Sequence, residues 1–246
     1  MAGETEKAQG IVLDIHPVSR TSHVVVWLVR GRGVVSTLVK GAVRPKSQFL
    51  GQYDLHYTCD LIYYQRASGD LHAIREVSPK NMRERLRGRW RETCLAGYAA
   101  GLARELCPSG PESERWFDAH EALLERLGGE EPTANLPLAL LETELSILSM
   151  AGLSPDFSGA DPRAEYHPFA VDGGRIGEGG RTVRISPQTL RLLESAQRGR
   201  AICGDAESTQ AALRVVGAFM GWHLDRPSEI RRSLLSAWRS TAYGSV

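Results

Sequence analysis

A short basic segment is the part of the sequence best suited to bind a ligand. Its cations flank Gly41, and they are Lys40, Arg44 and Lys46. Lysine and arginine pair with phosphate oxygens, and a glycine lets the backbone approach a polyanion closely. A nucleotide-binding P-loop needs Gly directly before Lys-Ser and a helix afterwards, whereas here Pro45 precedes Lys46 and has no backbone N–H. The segment therefore predicts phosphate contact without nucleotide hydrolysis, and a solvated basic turn is the alternative.

A second basic segment spans residues 80–91 and contains six cations and one acid, with Lys80 at its start. On a helix, Arg83, Arg87 and Arg91 would share one face at intervals of four residues, where like charges repel. Such repulsion is easier to understand if an anion lies nearby, so the segment predicts a second phosphate-binding surface. The alternative is a solvent-facing helix whose arginines pair with acids elsewhere in the chain. Three cations near predicted strand ends would extend a phosphate track: Arg20, Arg30 and Arg32.

The sequence contains no recognisable catalytic motif. Gly-x-Ser-x-Gly, His-Glu-x-x-His and a Gly-x-Gly-x-x-Gly after a strand are all missing, and the seven histidines are scattered. His56 and Cys59 would supply only two metal ligands, and the four cysteines form no Cys-x-x-Cys pair. We therefore expect a non-catalytic binding protein without a metal or cofactor.

Charge is distributed unevenly along the chain, although the formal net charge is only +1. Residues 1–91 contain 15 Lys and Arg against 8 Asp and Glu, whereas residues 92–246 contain 15 against 21. A basic part joined to an acidic part indicates a polyanion-binding module on an acidic body, with chance segregation as the alternative. No apolar run approaches the roughly 18–20 residues that span a bilayer. The polar first residues lack the apolar core of a signal peptide, so we expect a cytoplasmic protein.

Hydrophobic periodicity predicts a β-rich region followed by a helical one. Five runs rich in β-branched or aromatic residues, separated by Gly and Pro, predict strands at 10–15, 22–29, 34–39, 53–64 and 71–77. Five short strands fit a closed barrel of the OB type, although an SH3-like barrel would give much the same pattern. After Pro79, apolar residues recur every three or four positions, as in helices. We predict an α+β chain: an OB-type barrel domain at 1–79 and a helical bundle domain at 80–246, with an irregular insertion at about 152–184.

Aromatic side chains of the β region are also candidates, because barrels of this type stack bases on aromatic faces. They are Trp27, Phe49, Tyr53, Tyr57, Tyr63 and Tyr64. Strand aromatics belong to a core more often than they stack on bases, so the sequence alone does not single out a stacking residue.

The chain resembles the RecO family of bacterial recombination mediators over nearly its whole length. The matching N-terminal blocks keep the family's order and spacing: Gly10–Leu13, Ser19–Ser22, Gly31–Gly33, Val39–Ala42, Arg44–Ser47 and Phe49–Gly51. The helical part is similar at three places: Glu144–Leu148, Ala151–Leu153 and His223–Pro227. The Lys-Gly-Ala block followed by Arg-Pro-Lys-Ser is the most specific part of this resemblance.

The resemblance implies an OB barrel followed by a helical bundle that binds single- and double-stranded DNA and anneals complementary strands. It implies action with RecR, and sometimes RecF, to load RecA onto strands coated by single-stranded DNA-binding protein, at the nucleoid. Lys40, Arg44 and Lys46 carry over as DNA contacts. Many relatives hold zinc on four cysteines after the third helix. Because Ser158–Gly180 contains no cysteine, a zinc-free form is expected.

Two functions of other classes stay open at the level of sequence. An RNA-binding OB module would use the same basic barrel, and a direct preference for RNA over DNA would identify it. A protein-only adaptor would dock an acidic partner on the basic face. Replacing Lys40, Arg44 and Lys46 with alanine would then abolish partner binding and leave DNA affinity intact.

Overall fold

The structure, a computed structural model, describes residues 4–66, 71–200 and 204–240. It divides into two compact units, Met1–Pro132 and Thr133–Val246. The sequence pattern predicts a division at 79/80 instead, so the structure groups the first helices of the predicted helical domain with the barrel.

Five strands of the first unit close into a barrel. In chain order they are β1 Glu4–Pro17, β2 His23–Val29, β3 Gly33–Val39, β4 Thr58–Gln65 and β5 Leu71–Asn81. The order around the barrel is β1-β2-β3-β5-β4, and β4 pairs with β1 to close it. Neighbouring strands are antiparallel except β3 and β5, which are parallel. The closed barrel followed by helices confirms the predicted OB-type α+β fold class.

Alternating side chains build the core of the barrel. On β2, Val25, Trp27 and Val29 belong to this core and are fully buried, as the two-residue period of a strand requires. The indole Nε1 of Trp27 donates a 2.8 Å hydrogen bond to Oγ1 of Thr37, which satisfies its one polar atom inside the core. The residues that alternate with these core residues point outward, where they contact helices or solvent.

The last barrel strand runs past Pro79, the residue at which the sequence pattern predicts a change to helix. Pro79 pairs with Cys59 beside a register shift in the β4–β5 ladder. Proline cannot donate to a ladder and is tolerated at such irregularities. The strand therefore continues to Asn81, and helical structure begins only at Glu84.

Helices cover one end of the barrel surface. They are α1 Glu84–Arg87, α2 Trp90–Leu106 and α3 Glu114–Leu127, with a 3-10 turn at Pro111–Ser113 before α3. Arg30 ties α3 to the barrel, because its Nη1 lies 2.5 Å from Oδ1 of Asp118 and its guanidinium carbon 4.2 Å from the centre of the Phe117 ring. Gly33 has φ 89°, and a Cβ there would lie 2.5 Å from the carbonyl oxygen of Pro108. Only glycine permits this close approach.

The second unit combines helices with a small sheet. Its elements are α4 Leu136–Met150, β6 His167–Ala170, β7 Arg175–Ile176, β8 Thr182–Ile185, α5 Pro187–Gln197, α6 Ala206–His223 and α7 Asp225–Ser240. The three strands form a sheet in the order β7-β6-β8 inside the segment predicted as an irregular insertion. Phe169 of this sheet packs between Phe157 and Phe219, with ring centroids 5.4 and 6.3 Å away. Aromatic packing therefore helps to stabilise this segment, for which the sequence predicts no zinc site.

A buried ion pair also stabilises the second unit. Glu144 is 0% exposed, and its two carboxylate oxygens accept from Nε and Nη2 of Arg231 at 2.6 and 3.2 Å. Such two-point pairing is the geometry in which a guanidinium best offsets the cost of burying both charges. Among the described residues, no helix is long and apolar enough to cross a membrane.

Candidate nucleic-acid interface

The predicted phosphate-binding segment forms consecutive turns at one end of the barrel. Gly41 begins them with φ 68°, a left-handed conformation that favours glycine. The N–H of Arg44 donates to the Gly41 carbonyl at 3.2 Å, and the N–H of Ser47 donates to the Arg44 carbonyl at 2.9 Å. Lys40, Arg44 and Lys46 line a shallow depression of about 440 Å³ there. The segment is thus an exposed connection between strands, as the sequence predicts, and no helix follows it.

The turn between β1 and β2 brings a fourth cation to the same end. The N–H of Val43 donates to the carbonyl of Thr21 at 3.4 Å, and the N–H of Gly41 donates to Oγ of Ser22 at 3.3 Å. These hydrogen bonds fasten the turn that carries Arg20 to the basic segment. We call the resulting group the basic cluster: Arg20, Lys40, Arg44 and Lys46.

The basic cluster has no acidic partner in the part of the chain that the structure describes. All four side chains are exposed, and none forms an ion pair with a described Asp or Glu. Aliphatic side chains are exposed close to them in sequence, since Val18, Val43 and Leu50 are 54%, 46% and 55% exposed. Unpaired cations beside apolar surface suit a flexible polyanion that also has apolar faces, such as a nucleic-acid strand.

Three other predicted contacts have acidic neighbours. Arg30 is held by Asp118 and Glu121 and lies over the Phe117 ring, so the structure gives it a structural role. The other two are Arg32 and Lys80. Nη2 of Arg32 lies 2.9 Å from Oε1 of Glu6, and Nζ of Lys80 lies 3.9 Å from Oδ1 of Asp60. Both cations are more than half exposed, and exposed pairs contribute only about 0–1 kcal/mol. A phosphate could therefore displace the acids, and both residues stay predictions as DNA contacts.

The second basic segment is not one helix, so the prediction that Arg83, Arg87 and Arg91 share a helical face is wrong. Arg83 precedes α1 in a left-handed conformation, with φ 45° and ψ 51°. α1 then ends after about one turn, and Gly88 and Arg89 separate it from α2. Arg83 therefore lies outside any helix, and Arg87 and Arg91 belong to two different helices.

Arg83 itself is buried and holds the first unit together. Its side chain is 2% exposed. Nη1 donates to the His56 carbonyl at 2.9 Å and to Oγ1 of Thr58 at 2.8 Å, and Nη2 donates to Oε1 of Glu125 at 2.7 Å. A guanidinium enclosed in this way offers no surface to a phosphate. The structure therefore corrects the predicted DNA contact at Arg83 to a structural role.

Arg89, a neighbour in the same basic segment, also has a structural role. Its guanidinium donates to four backbone carbonyl groups at and just after the end of α3: Leu127, Gly129, Glu130 and Glu131. Carbonyl groups at a helix C-terminus have no partner within the helix, and a cation there also interacts favourably with the helix dipole. Fewer cations of residues 80–91 are therefore available to a ligand than the sequence count suggests.

Arg87 and Arg91 remain at the surface of the first unit. Arg87 is 56% exposed, and its Nη2 contacts Oδ2 of Asp54 at 2.6 Å and the hydroxyl of Tyr57 at 2.5 Å. Arg91 lies exposed near the start of α2. Both can be reached by a polyanion, and both stay predictions as DNA contacts.

Helices cover part of the surface that OB folds use for nucleic acid, which is the outer face of β2 and β3 with the adjacent loops. α3 packs against β2 and β3, and α2 packs against β1. Where α3 packs on β2, the outward-facing Val26 and Leu28 are 7% and 0% exposed. Val24, at the opposite end of β2, is only half-buried. The open part of this face therefore lies at the end of the barrel that carries the basic cluster.

Most of the aromatic candidates belong to the barrel core. The buried ones are Trp27, Phe49, Tyr57 and Tyr63. Tyr53 is half-buried, its hydroxyl is 2.9 Å from Nδ1 of His23, and burial raises the pKa of Tyr53 to about 12. Tyr64 faces outward and is 38% exposed, so it is the most exposed aromatic side chain of this set.

Two buried histidines lie in the environment of Arg83. Burial, aided by the positive charge of Arg83, lowers the pKa of His56 to about 4. Burial also lowers the pKa of His120 to about 3, with further contributions from His56 and Arg83. Nδ1 of His56 and Nε2 of His120 are buried and have no hydrogen-bond partner among the described residues. Both imidazoles are therefore neutral near neutral pH and add no charge to the interface.

Comparison with known proteins assigns the family. Residues 1–83 match the family described as recombination protein O N terminal, and residues 87–231 match recombination protein O C terminal. The chain is 31% identical over 245 residues to the DNA repair protein RecO of Anaeromyxobacter dehalogenans (strain 2CP-C), covering 93% of this chain and 95% of that protein. It is 27% identical over 253 residues to the DNA repair protein RecO of Gloeobacter violaceus, covering 92% and 91%. The chain therefore belongs to the RecO family of DNA repair proteins.

Proposed function

We propose that this protein is a DNA-binding recombination mediator that anneals complementary strands and helps to load the RecA recombinase onto single-stranded DNA. It binds single- and double-stranded DNA and catalyses no chemical step. It acts in the cytoplasm at the nucleoid, with RecR, with single-stranded DNA-binding protein and with RecF. Family membership and the charge of the barrel support this proposal.

The observation that carries the proposal is the contrast between the basic cluster and the other cations of the first unit. Arg30, Arg83 and Arg89 are held by acids or carbonyl groups of the same unit. The four cations of the basic cluster are exposed and have no ion pair with described residues. Exposed cations that a protein does not neutralise itself are available to neutralise a polyanion.

Annealing follows from electrostatics in this proposal. Two complementary strands repel each other over roughly 8–10 Å at physiological ionic strength, because both are polyanions. Cations of the barrel that bind phosphates of either strand reduce this repulsion and raise the local concentration of both. The contacts go to phosphates, so binding depends on salt and only weakly on base sequence.

The test is fluorescence-monitored annealing of complementary oligonucleotides by the full chain across a salt series. The variant Lys40→Ala/Arg44→Ala/Lys46→Ala removes three cations of the basic cluster. The matched control Arg163→Ala/Arg191→Ala/Arg214→Ala removes three exposed arginines of the second unit. We expect the parent and the control to anneal strands at moderate salt and the basic-cluster variant to fail.

Two results would contradict the proposal. If the parent neither binds nor anneals DNA, the basic cluster serves another kind of partner. If the basic-cluster variant anneals as well as the parent, DNA is bound elsewhere on the chain. A stronger affinity for RNA than for DNA of the same sequence would favour an RNA-binding module instead.

A further inference from the structure

We infer that the bases of an unpaired DNA strand lie on a row of outward-facing side chains that crosses the barrel from β1 to β4, with Tyr64 as the stacking residue. This inference rests on the proposed DNA binding and specifies the form of DNA and its place on the barrel. The strand pairing, the helical cover and the placement of cations each support it.

The strand register places one residue of each strand in this row. His16 of β1 lies opposite Val24 of β2, and Val24 lies opposite Leu38 of β3. Leu38 lies opposite Ala73 of β5, and Ala73 lies opposite Tyr64 of β4. Paired residues of adjacent strands project to the same face of a sheet, so the five side chains form a continuous line. We call it the outer row.

The outer row faces away from the barrel core. The residue next to each member on β2, β5 and β4 belongs to the core: Val25, Ile74 and Tyr63. On β3 the residue before Leu38 is Thr37, which accepts the hydrogen bond from the buried Trp27 indole. Because successive side chains of a strand alternate between faces, the members of the outer row point outward.

The helices leave the outer row accessible. Tyr64 is 38% exposed, and Val24, Leu38 and Ala73 are half-buried. Two residues along β2 from Val24, the outward Val26 is already buried. The row thus includes the open end of the β2–β3 face and continues over β5 to β4. It consists of the His16 imidazole, three aliphatic side chains and the Tyr64 ring.

Cations border the outer row on several sides. Lys40 of the basic cluster comes two residues after Leu38, and Arg75 comes two residues after Ala73, the parallel partner of Leu38. Near Tyr64 lie Arg66, two residues further along the chain, and Lys7, which pairs with Ile62 on the neighbouring strand. All four are exposed. The sequence pattern did not select Lys7, Arg66 or Arg75, although the alternation along their strands indicates an outward position for Lys7 and Arg75.

Two acidic side chains near the row, among those that the structure describes, are already paired. Oε1 of Glu76 lies 3.2 Å from Nε of Arg75, and both side chains of this pair are exposed. Oδ2 of Asp14, two residues before His16, forms an ion pair with Arg104 and lies 3.2 Å from Nε2 of His16. Counted over the described side chains, the surroundings of the row are therefore net positive, which complements a phosphate backbone.

An apolar row with a cationic border matches an unpaired strand better than a duplex. A duplex keeps its base faces stacked inside and presents mainly phosphates to a surface such as this one. A single strand presents base faces, which gain by stacking on aromatic rings and by covering apolar side chains. The outer row therefore adds affinity for single-stranded DNA to the charge attraction that both forms share.

The experiment compares the full chain with Tyr64→Ala and Tyr64→Phe in binding to fluorescein-labelled oligo(dT) and to a duplex of the same length. Loss of one base stack should weaken oligo(dT) binding about tenfold. Phenylalanine should restore it, and duplex binding should change by less than about twofold. The matched control is Tyr166→Ala, because Tyr166 is a 51% exposed tyrosine of the second unit. We expect it to bind both DNAs like the parent.

A second measurement needs no variant. Single strands that carry 5-iodouracil are photo-crosslinked to the parent chain, and the attached peptide is identified by mass spectrometry. We expect the β4 peptide that contains Tyr64. Crosslinks confined to other peptides overturn the inference, whether or not Tyr64→Ala folds.

The outcomes separate this inference from the proposed function. If Tyr64→Ala binds oligo(dT) like the parent, or weakens oligo(dT) and duplex equally, the outer row is not a base platform. DNA binding itself still stands in that case if the basic-cluster variant loses affinity. If the parent binds neither DNA, both the function and the row are contradicted.

Discussion

Arg83 and Glu125 join the segment after β5 to α3 through a contact of 2.7 Å between Nη2 and Oε1. Only 2% of the Arg83 side chain is exposed, although Glu125 is 54% exposed. Removing Arg83 would leave the His56 carbonyl and the Thr58 hydroxyl without this donor inside the unit. We therefore expect Arg83→Met to lower the free energy of unfolding by about 3 kcal/mol, measured by urea denaturation.

The control for Arg83 comes from the same basic segment. Arg87 also contacts an acid, but it is 56% exposed, so Arg87→Met should cost less than about 1 kcal/mol. Equal stability losses in the two variants would show that burial does not distinguish these arginines. A normal stability with reduced DNA affinity in Arg83→Met would return Arg83 to the binding surface.

The buried histidines predict a loss of stability in mild acid. His56 has a pKa of about 4 in the folded chain and about 6.5 when unfolded, so the unfolded state binds more protons in between. The stabilisation is fully present above about pH 6.5 and is lost as the pH falls through about 4. It amounts to on the order of 3 kcal/mol for His56, and His120 adds to it in the same direction.

Urea denaturation at several pH values between about 7 and 4 measures this loss. The comparison variant is His56→Asn, because His56 has φ 66° and asparagine tolerates the left-handed conformation. The variant should show a smaller drop in stability over this range than the parent. An identical pH dependence in both chains would mean that His56 is already protonated, or solvated, in the folded state.

Salt dependence should report how many cations the basic cluster contributes. Each neutralised phosphate of a single strand contributes about 0.7 to the slope of log affinity against log salt concentration. The triple variant of Lys40, Arg44 and Lys46 should therefore reduce the slope by about 2, measured by titration of oligo(dT) in rising NaCl. The second-unit control Arg163→Ala/Arg191→Ala/Arg214→Ala should keep the parental slope. An unchanged slope in the basic-cluster variant would place the phosphate contacts elsewhere.

Thiol reactivity should follow burial in the first unit. Cys59 is 0% exposed, and burial raises its pKa to about 12, so almost no thiolate is present near neutral pH. We expect iodoacetamide to modify Cys59 only after denaturation, and to modify the partly exposed Cys94 in the folded chain. Peptide mass spectrometry with and without urea measures both. Rapid modification of Cys59 in the native chain would indicate that the barrel opens.

The barrel and the basic loop could be predicted because local signals determine them. Alternating apolar residues predict the strand β2 from neighbouring positions alone. A glycine such as Gly41 predicts a left-handed turn in the same local way. The arginines of residues 80–91 could not be sorted in this way. Arg83 is drawn inward by acceptors on β4 and α3, and these partners are distant in sequence. The position of Arg20 beside the basic segment likewise depends on hydrogen bonds between two turns at the end of the barrel. Sequence spacing alone does not show it.

The placement of the helices also determines how the barrel can be isolated. Cutting the chain after Asn81 would remove α2 and α3 and expose Val26 and Leu28 to water. Arg30 would lose its acidic and aromatic neighbours at the same time. Such a fragment should aggregate, because a contiguous apolar patch on a small barrel favours association. A fragment that ends at Pro132 keeps the cover, so it is the shorter chain to produce for isotope labelling or crystallisation.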